Sequence, residues 1–404
     1  MYDLLKGLRV VEGAAFIAGP SCGLHFAQMG AEVIRFDNIG GGPDFRRWPL
    51  APGSGASLYW EGLNKGKKSV ALDLSSAKGR ELAVAIATAP GENAGLFVTN
   101  YPVRGFLSYD NLKSRRDDII SVRIMGWADG APAVDYTVNA ASGLPFATGF
   151  PDDDRPTNHV LPAWDLIGGA YAAFALMAAL SARRESGQGC EIRVPLSDLV
   201  ASNLSHVGAV AEVMVADDDR PRMGSDLYGA FGRDFTTADG ERVMLVAISS
   251  RQWIGALRAL ELGDAVAVLE RELGVSFARD EGLRFRHRER LFALFEAVIA
   301  KGTLSDLGPA FDAAGVTWSK YQTLHQAVFS DARLFTANPI FQSIEHPSGL
   351  RYPASGPAGA VQGAARGAVA PAPKLGQHTD EILAEVLGLT AEAIGKLRDD
   401  GVAA

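Results

Sequence analysis

Short, almost continuous apolar runs punctuate the first half of the chain and alternate with longer segments whose apolar positions recur every three to four residues. Leu8-Arg9-Val10-Val11-Glu12, Glu32 to Asp37, Leu96 to Asn100, Ile119 to Ile124 and Cys190 to Val194 are runs of the first kind. Such runs predict strands buried on both faces, as in a parallel sheet. Asn64 to Leu74 reads as a basic turn feeding one more strand. A small-residue loop, Gly13 to Pro20, follows the first run, and a helix from Cys22 to Met29 leads to the second. Strand, loop, helix and strand in that order open an α/β fold. Gly13, Gly19 and Gly23 lack the G-x-G-x-x-G spacing, so the rival reading as a nicotinamide oxidoreductase finds no support there.

An alanine-rich apolar run extends to Leu180 and stops at Arg183-Arg184-Glu185-Ser186-Gly187, with cations and then glycine where a helix ends. A helix is expected over Asp198 to Val215, then a polar break at Asp217 to Arg222. Arg233 to Thr237 and Arg242 to Ile248, either side of Ala238-Asp239-Gly240, predict a strand pair, and helices follow from Arg251 to about Ala314. Ala354 to Pro373 is rich in glycine, alanine and proline and reads as extended chain. Two helices, Asp380 to Leu387 and Thr390 to Leu397, are expected at the end, and no internal repeat is present. The domain boundaries drawn from this pattern are 1–215 for a large domain, 216–227 for a linker, 228–318 for a small domain and 319–404 for a segment returning to the large one.

Composition narrows the partners. With 404 residues, 47% hydrophobic and 21% charged, the chain has the make-up of a globular enzyme of two or three domains. A net charge of −8 carries no basic footprint for nucleic acid, so a polyanionic ligand needs a local cation cluster. Two cysteines suit neither a disulfide scaffold nor a cysteine metal site, which points to a reducing cytoplasm. No signal-peptide pattern is read at the start, and the uncharged run Leu166 to Leu180 is shorter than a membrane span.

Candidate chemistry centres on Asn158-His159-Val160-Leu161-Pro162-Ala163-Trp164-Asp165-Leu166-Ile167-Gly168-Gly169. A carboxylate just ahead of an apolar helix is either its N-cap or a nucleophile beside open, glycine-lined space. The residues alone leave both readings open. Lys65, Lys67 and Lys68 stand where a strand meets a loop, either as phosphate ligands or as a solvated charge cluster.

The ordered set of Ala18-Gly19-Pro20, Asn64 to Leu74, Asn100 with Arg104-Gly105, Ser142-Gly143 through Thr148-Gly149, Asp165 with Gly169, and Arg184 to Gly189 resembles the family III coenzyme A transferases over nearly the whole chain. That resemblance implies an α/β fold, with a large Rossmann-like domain built from the N- and C-terminal segments, a smaller α+β domain, and an interlocked homodimer. It implies a coenzyme A thioester as substrate, no permanently bound cofactor, no metal, and neither nucleic acid nor membrane as partner. Asp165 matches the family's nucleophile, which forms an aspartyl thioester. For coenzyme A the candidates are Ile17, Ala18, Asn64, Lys67, Lys68, Asn100 and Arg104, and for the acyl group Arg46, Arg47, His159, Tyr228 and Gly229. Oxyanion donors are expected in the loops Gly13 to Gly19 and Gly229 to Gly232. Where the family's racemases carry a histidine, Ala133-Val134-Asp135 has none, and Ile17 replaces the glutamine of formyl-CoA transferase. Finer matches, including Arg46-Arg47-Trp48-Pro49 and Leu227 to Phe235, resemble the branch that moves coenzyme A between the two carboxyl groups of one mesaconate. Transfer to a separate acid, and racemisation of a 2-methylacyl thioester, are the alternatives.

Overall fold

A computed structural model describes residues 1–404. By internal contacts the chain divides into two compact units, Met1–Gly143 with Asn158–Asp217 and Pro339–Ala404, and Leu144–Thr157 with Asp218–Asn338. The first is built on six parallel strands: β1 (Arg9–Gly13), β2 (Glu32–Asn38), β3 (Lys68–Leu72), β4 (Leu96–Thr99), β5 (Ile120–Met125) and β6 (Cys190–Pro195). They lie in the order β3-β2-β1-β4-β5-β6, the doubly wound arrangement. The order in which strands are added to the sheet reverses between β1 and β4, and the crevice at their carboxyl ends is where such folds place ligands.

The second unit carries an antiparallel sheet of β7 (Phe231–Thr236), β8 (Arg242–Ala247) and β9 (Thr317–Lys320). Phe231, Trp253, Phe292, Phe295 and Phe311 fill the core between this sheet and its helices. β9 pairs with β8, so the chain stays with the small sheet past residue 318, where the sequence reading ended that domain.

The C-terminal segment then returns to the first unit through the hairpin β10 (Phe341–Glu345) and β11 (Arg351–Ser355). Buried Glu61 anchors it, accepting from the Ser348 amide at 2.6 Å and the Tyr352 hydroxyl at 2.5 Å. Beyond the hairpin, the Ser69 carbonyl accepts from the His378 amide at 2.9 Å, and the Ala71 carbonyl from the Ala404 amide at 3.1 Å. These bonds cover the open edge of β3. Ile382, Leu383, Ile394 and Leu397 enter the same core as Val11, Ile34, Phe36 and Phe97.

Two helices position the site. Ala18–Gln28 begins four residues earlier than the sequence pattern suggests, because Pro20 sits in its first turn, where a missing N–H costs nothing. Ala163–Ser186 runs for 24 residues, so it is long and apolar enough to cross a membrane, unlike the shorter run read from sequence. Its small residues instead pack against Ala18–Gln28: a Cβ at Gly169 would fall 1.9 Å from Ser21 Oγ and 2.7 Å from the Ala18 carbonyl oxygen. Gly168 is less tightly confined, by Leu196 at 3.0 Å. The two glycines therefore serve close helix approach, and the open space expected beside Asp165 is absent at these positions. Downstream, the helix expected over 198–215 is broken into Leu196–His206 and Ala209–Ala216 by Gly208 at a φ of +80°.

Gly169→Val places three carbons where Ser21 and the Ala18 carbonyl already lie. Overpacking of this kind costs about 1–3 kcal/mol. A lowered denaturant midpoint with an unchanged m-value is expected, and an unaltered midpoint would contradict the close packing.

Candidate active site

Asp165 is the third residue of its helix, inside the first turn, so it is not the N-cap. Capping falls to Asp135, the first residue of the helix Asp135–Ala141. Its buried carboxylate accepts from the amides of Trp164 at 2.7 Å and Asp165 at 3.0 Å through one oxygen, and contacts His159 Nε2 at 2.5 Å through the other. Trp164 is fixed as well, its indole N–H donating to Asn139 at 2.9 Å. Asp165 itself is half-buried, and its carboxyl is pushed up to about 7 by burial first, then by the Asp135 charge, with Arg47 opposing both.

The loop between β1 and Ala18–Gln28 forms the opposite wall. Ala18 lies beside the second turn of the Asp165 helix, 3.9 Å from a Cβ built at Gly168. The loop is pinned at both of its middle amides. Ala15 N–H donates to Asn100 at 3.1 Å while Asn100 Nδ2 donates to the Ala15 carbonyl at 2.8 Å, which ties the carboxyl ends of β1 and β4 together. Phe16 holds a left-handed φ of +68° and donates its amide to Asp44 at 3.1 Å. These two N–H groups, expected as oxyanion donors, are therefore engaged. The helix that follows has no side-chain cap and no acidic residue in its first turn. Of its first turn, Ala18 and Gly19 N–H have no intrahelical acceptor, Pro20 has no N–H and Ser21 N–H donates to the Ile17 carbonyl at 2.7 Å, and no acidic side chain of that turn offsets the positive end of the dipole.

Asp44 belongs to a buried ionic cluster beneath the loop. Arg35 donates to Asp37 at 2.9 Å, to Asp44 at 2.9 and 3.0 Å, and to Asn64 at 3.2 Å. Lys67 donates to Glu12 and the Pro20 carbonyl at 2.8 Å and to Asn64 at 3.0 Å. Its three protons are thus all taken in a fully buried position, where none reaches a phosphate. Burial raises the pKa of Glu12 and lowers that of Lys67, although each counters the shift of the other.

The remaining expected residues separate in the same way. Asn64 is buried within the cluster, Asn100 is committed to the loop, and Lys68 bridges Glu32 at 2.7 Å and Glu381 at 2.6 Å. Of the cations proposed for coenzyme A, Arg104 alone is exposed and makes no ion pair. Ile17 and Ala18 are buried at the helix start. Arg47 lies 5.6 Å from the ring centroids of both Phe16 and Tyr59, and its charge is felt at Asp165. Arg46 points elsewhere, into a separate cavity of about 500 Å³ with Trp60, Glu61 and Lys374. His159, expected on a substrate carboxylate, instead engages Asp135. Tyr228 and Gly229 lie in the second unit, where Tyr228 stacks under Arg220 at 3.8 Å and Gly229 adopts a φ of +79°.

Sequence reasoning missed Asp135 as a partner and Tyr59 altogether. The Tyr59 hydroxyl is buried without a hydrogen bond; Arg47 is near enough to favour its ionised form but is not aligned to donate, and burial, the larger effect, raises the pKa. A signal for Asp135 existed, since it stands beside the position inspected for the absent histidine. Nothing around Tyr59 in the sequence distinguishes it from a core aromatic.

A carboxylate on a helix start at the switch point of a doubly wound sheet, facing a second uncapped helix start, suits acyl transfer. The chain belongs to CoA-transferase family III, whose model matches residues 5–379. Over its full length it is 47% identical to 2-methylfumaryl-CoA isomerase of Chloroflexus aurantiacus, across 404 residues, 100% of this chain and 98% of that one. It is also similar, at 27% identity over 98% of this chain and 89% of the relative, to the succinyl-CoA:glutarate CoA-transferase of Homo sapiens. Among solved structures, a CAIB/BAIF family protein from Brucella suis shares the fold with a TM-score of 0.76 at 24% identity, covering 95% of this chain and 99% of that chain.

Lys67→Met leaves Glu12 buried with only Arg35, at 3.4 Å, as a cationic partner. Removing one member of a buried ion pair costs about 3–5 kcal/mol. The variant is expected to lose that stability in urea unfolding while the folded fraction keeps the wild-type KM for the thioester. A raised KM at unchanged stability would return Lys67 to phosphate binding.

Proposed function

We propose that this chain is an intramolecular coenzyme A transferase that converts 2-methylfumaryl-CoA to 3-methylfumaryl-CoA by moving coenzyme A between the two carboxyl groups of mesaconate. One observation carries the reading: a half-buried carboxylate, Asp165, stands on the first turn of a helix in a chain that is 47% identical throughout to a 2-methylfumaryl-CoA isomerase. Asp165 attacks the thioester carbonyl, forming a mixed anhydride and releasing the coenzyme A thiolate. The thiolate attacks the aspartyl carbonyl, which leaves Asp165 as a thioester and mesaconate as a free dicarboxylate. After mesaconate turns, its other carboxylate attacks the aspartyl thioester and expels the thiolate. That thiolate then takes the acyl group from the second anhydride and restores the Asp165 carboxylate. No proton enters or leaves, so the site needs anion stabilisation rather than an acid or base.

The Ala18 and Gly19 amides, at the start of Ala18–Gln28, supply that stabilisation. Arg47 pairs the free carboxylate of the dicarboxylate, since it is the guanidinium whose charge reaches Asp165. Arg104, at the carboxyl end of β4, meets a phosphate of coenzyme A. A cytoplasmic homodimer completes the proposal. Ile167, Tyr171 and Phe174 form an exposed apolar stripe on the Asp165 helix, which a second chain would cover.

Trapping tests the chemistry. With substrate and hydroxylamine, the peptide containing Asp165 should gain a hydroxamate, and Asp165→Ala should lose turnover; retention of turnover would remove the reading. Efficient uptake of labelled free mesaconate into the thioester would instead indicate transfer between molecules. Because the nucleophile must be ionised, kcat/KM should fall about tenfold per pH unit below about 7.

The raised carboxyl also sets a stability slope. Between the ordinary carboxylate range and about 7 the folded chain binds more protons at Asp165 than the unfolded chain, so stability is lost as pH rises through that window. Asp165→Asn should therefore be inactive yet about 1–3 kcal/mol more stable at neutral pH, measured by urea unfolding.

A further inference from the structure

Asp135 takes no part in the transfer steps, yet more hydrogen bonds converge on it than on Asp165. As a carboxylate it has only acceptors, and three donors meet it from two separate segments. Trp164 N–H and Asp165 N–H reach the same oxygen, at 2.7 and 3.0 Å, and His159 Nε2 reaches the other at 2.5 Å. The group is 1% exposed, so solvent offers it no alternative partner. His159 is held in turn, its ring edge-on to Tyr136 at 5.6 Å, and Tyr136 donates its hydroxyl to the Val160 carbonyl at 3.2 Å. The segment before the helix is also tied to Asp135–Ala141 by Asn139, which donates to Asn158 at 2.5 Å.

Resting on the transfer chemistry above, we propose that Asp135 is the positioning residue of this site: it holds the backbone of the Asp165 turn in place and is itself held by His159. Two acids on one helix start are compatible with the dipole, which favours negative charge at each. They are not independent, because each charge opposes the other across the turn. Asp135 thereby both orients the nucleophile and keeps it a stronger base than an isolated aspartate. Stronger basicity matters for a carboxylate that must attack a thioester and expel a thiolate of much higher basicity.

The charged and titratable groups that face Asp165 are Asp135, Arg47 from the loop after β2 and Tyr59 from the helix Leu58–Leu63, with His159 acting through Asp135. Two variants separate geometry from charge. Asp135→Asn keeps an oxygen for the two amides and offers its NH2 to His159 in the opposite tautomer, so the turn is retained while the charge is lost. Asp135→Ala loses both.

The first readout needs no turnover. Isotope-edited carboxyl NMR of the ligand-free chain, with Asp165 assigned by its loss in Asp165→Asn, should show Asp165 titrating near 7 in the wild type. In Asp135→Asn the midpoint should be lower by about one unit or more. The second readout is the pH profile: the acidic limb of kcat/KM should move down by the same amount in Asp135→Asn. Asp135→Ala should lose about 10- to 100-fold in kcat, with KM for the thioester changed far less, as expected for a misplaced nucleophile. An unmoved NMR midpoint in Asp135→Asn overturns the proposal. So does a loss of thermal stability in Asp135→Ala with wild-type kcat in the folded fraction, since that is a structural cap alone. Failure of the transfer chemistry is seen separately, as turnover retained by Asp165→Ala.

Discussion

The structure depends on a charge that cannot leave. Arg35 is 1% exposed in the second strand of the sheet, and its guanidinium is surrounded by Glu12, Asp37, Asp44 and Asn64. Burial alone would weaken its hold on the proton, but the three carboxylates outweigh that and raise it. Lys67 completes the set through Glu12, giving two cations and three acids in one dry cluster. Desolvating that many charges is expensive, and such a cluster adds less to stability than an apolar core of equal volume. Its value is geometric. Asp44 reaches from the cluster to the Phe16 amide and fixes a non-glycine residue in a left-handed conformation, which costs about 1–3 kcal/mol to hold. A loop with that backbone stays in place only when its surroundings determine it.

What the loop presents is the bare start of Ala18–Gln28. Most helix starts are capped by a side chain from the sequence just before them, yet here Ile17 offers none. On the Asp165 side the reverse holds, for the cap comes from Asp135, thirty positions earlier in the chain. One helix start is thus capped and carries the proposed nucleophile, while the other keeps its Ala18 and Gly19 amides without helical acceptors. The proposed transfer passes a carboxylate, an oxyanion and a thiolate through the same space, and a neutralised second helix start would have nothing to offer them.

Much of the sheet was legible because parallel strands buried on both faces are written as apolar runs, and Val10, Val33, Val70, Phe97 and Val122 are all essentially inaccessible. The site was legible in part. Asp165 stood out through its place before an alanine-rich helix, but its cap lay far away in sequence, which a local motif does not show. The lysines misled for a physical reason: Lys67 and Lys68 are adjacent in sequence, yet alternation along β3 sends one into the ionic cluster and the other to Glu32 and Glu381 at the surface. A run of basic residues at a strand start looks the same whether it meets phosphate or buried carboxylate. The early start of Ala18–Gln28 was hidden by Pro20, which usually marks a loop but is at home in a first helical turn.

Setting the Asp135 carboxylate against the first turn of the Asp165 helix explains why Asp165 is a poor contributor to folding. Burial and a like charge push its carboxyl up to about 7, with only Arg47 drawing it back. The same conditions that make it basic make it costly in the free protein at neutral pH, when no substrate is present to relieve them. In the proposed mechanism an acylated Asp165 is neutral and no longer opposes Asp135, so formation of the anhydride or thioester removes the repulsion. In that mechanism the strain is largest in the state that must react and smallest in the covalent intermediates, which lowers the rise in free energy between a thioester and an aspartyl anhydride. A separate acid or base would not achieve this, because the proposed transfer involves no proton. Two carboxylates on one helix start, one fixed by its hydrogen bonds and one free to be acylated, provide it through charge alone.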